Sequence, residues 1–145
     1  MFKKLIVLGF IIVIFSCGKN DRLVNNNPNL ITPLVNLTLN LNLPEYVPLQ
    51  FPGNHIIVTQ QGIKGIVIYN VNNTQFTAFE LSDPNHTPNN CSKMAVEGII
   101  ASCPCEDDDN KYDIITGQHK TQPDTMYPML RFRVELNGDI LRVFN

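Results

Sequence analysis

Nine consecutive residues, Val35-Asn36-Leu37-Thr38-Leu39-Asn40-Leu41-Asn42-Leu43, alternate apolar and polar side chains without a break. Only an extended backbone puts every second side chain on one face, so this run predicts a β-strand with one buried side. The chain beyond it keeps the same style. Pro44 and Pro48 end the first strand, and His55 to Thr59 is a second apolar run after Pro52-Gly53-Asn54. Gln60-Gln61-Gly62 marks a turn into a strand over Ile63 to Val71. Asn72-Asn73 then leads to Gln75 to Leu81 as a hairpin. Lys93 to Ser102 carries Met94, Val96, Ile99 and Ile100, with a tight turn or bulge expected at Glu97-Gly98. Tyr112 to Ile115 is a short strand that stops at Thr116-Gly117. Leu130 to Leu136 and Asp139 to Phe144 close a last hairpin through Asn137-Gly138, a type I′ signal. No window carries a useful helical stripe. About eight to ten short strands over residues 35–145 predict an all-β domain, a small sandwich or barrel.

Residues 1–34 do not share this pattern. Lys3 and Lys4 precede an apolar run from Leu5 to Phe15, and Ser16-Cys17 follows. Eleven apolar residues fall short of the roughly 20 that a spanning helix needs, but they fit a secretory signal peptide over 1–16. Ile14-Phe15-Ser16-Cys17 resembles a bacterial lipobox. That resemblance implies cleavage before Cys17, a diacylglycerol on its sulfur and acylation of the new amino terminus. Two or three acyl chains anchor durably where one does not. Residues 17–34, with Asn25-Asn26-Asn27-Pro28-Asn29, read as a polar tether of about 20 Å reach. Lys19, Asp21 and Arg22 resemble the export signals of Bacteroidetes-type surface lipoproteins. The expected address is the cell envelope, on a membrane, facing the periplasm or at the outer-membrane surface.

Loss of residues 1–16 removes two lysines and no acid, so the net charge moves from −2 to −4. With no cluster of Lys or Arg, nucleic acid is not an expected partner. There is no nucleophile elbow, no Gly-rich phosphate loop and no placed pair of carboxylates, so no enzyme activity is expected. Cys91, Cys103 and Cys105 remain after Cys17. An exported chain meets an oxidising compartment, so one disulfide and one free thiol are expected. Cys103 and Cys105 compete for Cys91, and the residues alone leave the pairing open.

Cys103-Pro104-Cys105-Glu106 is followed by Tyr112-Asp113-Ile114-Ile115-Thr116-Gly117, then by the prolines Pro123 and Pro128 and the last hairpin. From residue 55 onward this order of signals resembles a Rieske iron–sulfur domain. The resemblance implies a small sandwich of short antiparallel strands with two loop tips joined by a disulfide. In that family each loop supplies one cysteine and one histidine to a 2Fe–2S cluster. By the same register Cys103 falls on the second-loop thiolate, Cys105 on the second-loop disulfide partner and Glu106 on the second-loop imidazole. Cys91, followed by Ser92-Lys93-Met94, falls on the other disulfide partner. Asp83 falls on the first-loop thiolate, and His86 is the remnant imidazole. Carboxylates are hard oxygen donors and suit an iron–sulfide core poorly.

The expected function is therefore a lipid-anchored envelope protein with a Rieske-like fold that lacks its cluster, in a structural or partner-binding role. No metal or cofactor is expected. The alternative is an electron-transfer protein that binds a 2Fe–2S cluster or another metal through Cys103, His86 and Glu106. A third reading makes Glu106-Asp107-Asp108-Asp109, with Asn110 and Asp113, a calcium site, although the run lacks the spacing and Gly of a calcium loop. His55, His86 and His119 are otherwise scattered and read as structural or exposed.

Overall fold

The computed structural model describes residues 26–145. The expected signal peptide, residues 1–16, and the lipidation site Cys17 lie outside these residues. The described part is an all-β domain with one short 3-10 helix. In chain order the strands are β1 (Asn36–Asn40), β2 (His55–Val58), β3 (Ile66–Asn70), β4 (Phe76–Glu80), β5 (Ala95–Glu97), β6 (Ile100–Ser102), β7 (Lys111–Asp113), β8 (Arg131–Asn137) and β9 (Ile140–Phe144). The 3-10 helix, Pro44–Gln50, lies between β1 and β2. A six-stranded sheet runs in the order β1-β9-β8-β4-β3-β2, and a three-stranded sheet runs β5-β6-β7. Every pairing is antiparallel. Among the described residues no helix is long and apolar enough to cross a membrane.

The alternating run at 35–43 does form a strand, but it stops at Asn40. There the Asn40 side chain accepts from the backbone N–H of Asn42 at 3.0 Å, and its carbonyl accepts from Leu43 N–H at 3.0 Å. This local turn competes with the ladder and ends it. Pro44 then opens the 3-10 helix, its fixed φ suiting a first helical position. The sequence pattern shows only the strand break there, because seven residues of 3-10 helix leave no apolar stripe of α-helical period.

β3 and β4 are buried on both faces. Ile66 and Ile68 of β3, with Phe76 and Ala78 of β4, join a first core shared with Leu37, Leu39, Phe132, Leu141 and Val143. Val67, Tyr69 and Phe79 point the other way, into a second core with Met94, Ala101, Tyr112 and Ile114. The second core packs the three-stranded sheet against the β3–β4 face. Thr77 pins that layer by donating to the Ile114 carbonyl at 2.7 Å. Central strands covered on both sides read as continuous apolar runs, which is why Ile66-Val67-Ile68-Tyr69 lacks alternation.

Both tight hairpins turn one residue later than their signals suggest. Asn137 pairs with Ile140, so the turn is Gly138-Asp139, with φ of 59° at Gly138. Glu97 pairs with Ile100 around Gly98-Ile99, with φ of 58° at Gly98. A positive φ at the first loop residue alone is the type II′ pattern, where I′ was expected for the last hairpin. The expected tether also differs in its last part. Leu30 is buried in the first core, and the side chains of Asn27 and Asn29 both donate to the Pro84 carbonyl, at 2.7 and 3.0 Å. Residues 27–30 are thus docked on the domain, because a leucine and two amides find partners there.

Candidate functional site

Two loops meet beside the second core. The first runs from Leu81 to Met94 between β4 and β5, and the second from Cys103 to Asn110 between β6 and β7. Cys91 and Cys105 join them in a disulfide with a Cα–Cα separation of 5.1 Å. Cys103 is left free and buried. Proximity therefore decides the pairing that the residues left open, in favour of Cys105.

Asp83 of the first loop is fully buried. Its Oδ1 accepts from the Tyr112 hydroxyl at 2.9 Å and from Asn85 N–H at 2.8 Å. Its Oδ2 accepts from Asn110 Nδ2 at 3.0 Å. Asn85 Nδ2 donates in turn to the Tyr112 oxygen at 2.8 Å and to the Tyr127 carbonyl at 2.9 Å. Asn110 Oδ1 faces His119 Nε2 at 3.3 Å, while His119 Nδ1 accepts from the N–H groups of Thr121 and Gln122. Those two donors fix His119 with its proton on Nε2, directed at Asn110. His119 also stands edge-on to the Tyr112 ring, with centroids 5.2 Å apart. Burial raises the pKa of the Tyr112 hydroxyl, and neighbouring Asp83 adds to the rise. Tyr112 therefore stays a hydrogen-bond donor at any ordinary pH. One network thus ties both loops to β7 through buried polar groups, each with a partner.

His86 closes the site on the solvent side, its side chain 23% exposed. Its Nε2 lies 3.4 Å from Cys103 Sγ, 3.5 Å from Asp108 Oδ2, 3.6 Å from Cys105 Sγ and 3.8 Å from Asp83 Oδ2. Its Nδ1 faces the Thr87 carbonyl at 3.1 Å. The ligand atoms of His86, Cys103, Cys105 and Asp108 all lie within 4.8 Å of one another. Burial, with Asp83 and Asp108 nearby, pushes the Cys103 thiol up to about 12, against the pull of a backbone hydrogen bond from Cys105. Without a metal, Cys103 is a protonated and unreactive thiol at neutral pH.

His86 and Cys103 of the expected alternative metal set are brought together, and Glu106 is not. Glu106 is exposed, and the acid that faces His86 is Asp108, two residues on. The Cys105–Asp108 turn, closed by Asp108 N–H to the Cys105 carbonyl at 3.5 Å, swings Asp108 inward and leaves Glu106 on the outside. The calcium reading is not supported. Glu106, Asp107 and Asp109 are exposed, Asn110 turns inward to Asp83, and Asp113 caps Ile115 N–H and Thr116 N–H. His55 lies apart on β2, half-buried. The roles of Asn85 and Asn110 under Asp83 were not foreseen. Their partners are 27 residues distant in sequence, so no local spacing announces them.

A second buried acid stands away from this site. Glu80 of β4 accepts from the N–H groups of Ile63 and Lys64, both at 2.7 Å, and from Ser82 N–H at 3.1 Å. It closes the turn before β3 and holds the start of the first loop at Ser82, away from His86 and Cys103.

No family model and no curated protein matches this chain. Among solved structures, the chain is similar to one from the complex of reduced oxygenase and oxidized ferredoxin in carbazole 1,9a-dioxygenase. The identity is 25%, covering 64% of this chain and 82% of that one, with a TM-score of 0.45. It is also similar to the ferredoxin of carbazole 1,9a-dioxygenase from Nocardioides aromaticivorans IC177, at 14% identity over 65% of this chain and 86% of that one, TM-score 0.44. A third likeness is to the Sphingomonas yanoikuyae B1 ferredoxin, at 20% identity over 66% and 88%, TM-score 0.44. Likenesses with TM-scores below 0.5 do not assign the chain to a family.

Proposed function

We propose that this chain is a lipid-anchored envelope protein whose β domain is a Rieske-type scaffold working without a 2Fe–2S cluster, as a structural or partner-binding module. The single observation that carries the reading is the use made of Asp83. It stands at the register position of the first-loop thiolate, and both its oxygens are taken by Tyr112, Asn85 and Asn110. Glu106, at the position of the second-loop imidazole, faces solvent. Cys105 is held in the disulfide. One thiol and one imidazole remain where the cluster needs two of each, so the donor set does not fit it. Buried hydrogen bonds and a disulfide hold the two tips together in its place. The membrane address rests on the lipobox-like run ending at Cys17.

The rival reading, an electron carrier with a cluster or other metal on Cys103, His86 and Glu106, is favoured only by the contact of His86 with Cys103. Iron and acid-labile sulfide analysis of anaerobically purified chain separates the two. Background iron and sulfide are expected. Stoichiometric iron and sulfide with Rieske-type absorption would overturn the cluster-free reading. Detergent-phase partitioning tests the anchor, and its persistence in Cys17→Ala would refute lipidation at that residue.

A further inference from the structure

We infer that His86 Nε2, Cys103 Sγ and Asp108 Oδ2 form a binding site for one divalent ion of zinc-like softness. The spacing carries the inference. Tetrahedral zinc with bonds of about 2.3 Å to sulfur and about 2.0 Å to nitrogen or oxygen separates its ligands by about 3.5 Å for N to S and about 3.3 Å for N to O. From His86 Nε2, the sulfur of Cys103 is at 3.4 Å and the oxygen of Asp108 at 3.5 Å. These match two edges of such a tetrahedron, and Cys103 Sγ and Asp108 Oδ2 lie within 4.8 Å of each other on the third side.

The surroundings suit a metal in three further ways. His86 Nδ1 faces the Thr87 carbonyl at 3.1 Å, which places its proton on Nδ1 and leaves the Nε2 lone pair directed at Cys103 and Asp108. Asp83 Oδ2, 3.8 Å from Nε2 and already accepting from Asn110, lies behind the site as an outer-sphere carboxylate. An open cleft lined by His86, Thr87, Asp107 and Asp108 gives entry from solvent. The mixed nitrogen, sulfur and oxygen set selects zinc over calcium or magnesium, which take oxygen alone. On binding, the Cys103 S–H bond breaks, its proton leaves to solvent, and the sulfur bonds the metal. No electron moves. Cys105 cannot serve while it is bonded to Cys91.

This site rests on the cluster-free reading, because a cluster would occupy the same Cys103 and His86; iron and sulfide judge that reading, while zinc and cobalt judge this one. The test uses the full chain with its disulfide intact, stripped by chelator and dialysed against zinc, with the bound metal quantified. Cobalt in the same site reports sulfur ligation through a thiolate charge-transfer band. About one zinc per chain is expected, with the cobalt band present. His86→Ala and Asp108→Asn should each raise the zinc Kd at least ~10-fold, the low end of what even outer-sphere partners cost, while Glu106→Gln leaves it unchanged. Cys103→Ser should abolish the cobalt band. His86→Ala keeps the test valid should Cys103→Ser fail to fold, because His86 is partly exposed. No bound zinc, no thiolate band, or a Kd unmoved by His86→Ala would overturn the inference and leave the cluster of side chains as a hydrogen-bonded contact only.

Discussion

The Tyr112 hydroxyl on β7 donates to Asp83 Oδ1 at 2.9 Å, across 29 residues of sequence, and Asp83 is fully buried where they meet. That bond ties the first loop to β7, beside the Asn110–Asp83 bond that joins the two loops. Tyr112→Phe removes the donor to Asp83 and one acceptor of Asn85, and should cost about 1–3 kcal/mol. Asp83→Ala strands two buried donors, Tyr112 and Asn110, and should cost more, about 3 kcal/mol or above. Urea midpoints at constant slope measure both. Equal midpoints for Tyr112→Phe and the parent would remove the network from any account of stability.

The Cys91–Cys105 bridge spans 14 residues of sequence. Closing a loop of that length is worth about 3 kcal/mol, chiefly through the unfolded chain. Cys91→Ser is therefore expected to lose about that much, read by thermal or urea unfolding without reductant. Adding a thiol reductant to the parent should produce the same loss and leave Cys91→Ser nearly unmoved.

Gly117 has φ of 80°, and a Cβ built there would come within 2.5 Å of Phe79 Cε1. Phe79 is buried in the second core and cannot withdraw without opening it. Gly117→Ala should cost at least ~2 kcal/mol, because backbone strain and a core clash add. Gly138→Ala makes a clean comparison, with φ of 59° and nothing within 4 Å. It should show the strain alone, about 1–2 kcal/mol. Identical melting losses for the two would show that Phe79 yields.

Burial raises the pKa of Glu80 above its ordinary 4.5, against the backbone N–H groups that it accepts from. A raised folded-state pKa means that folding favours the protonated acid. Its contribution to stability is then full below pH 4.5 and declines as pH rises through the folded value. Relative to Glu80→Gln, the parent should lose stability as pH climbs through that window. The difference between their urea midpoints, followed from about pH 4 to pH 8, gives the sign. A parent that gains on the variant with rising pH would contradict it.

Much of the architecture was legible because a strand with one wet face must alternate. Leu37, Leu39 and Leu41 read as a buried row and are one. The glycines marking the hairpins at 98 and 138 were legible too, since a positive φ favours glycine, though the turn centre fell one residue later. The docked stretch at 27–30 was hidden by its composition, as asparagines look like linker whether or not their amides find a carbonyl. The bridge from Cys91 to Cys105 followed from family register and not from the residues themselves. Within the site, His86 and Cys103 were named, but Asp108 was passed over for Glu106. Position in a motif says which residue aligns with a ligand. It does not say which way a turn of four residues points its acids.

The Pro84 carbonyl is the point where Asn27 and Asn29 fasten the incoming chain, one residue beyond Asp83. Tension applied from the amino-terminal side is therefore delivered first to the loop holding Asp83 and His86, ahead of β1. A load on that side would register at the two tips through Pro84 as well as at the first core through Leu30.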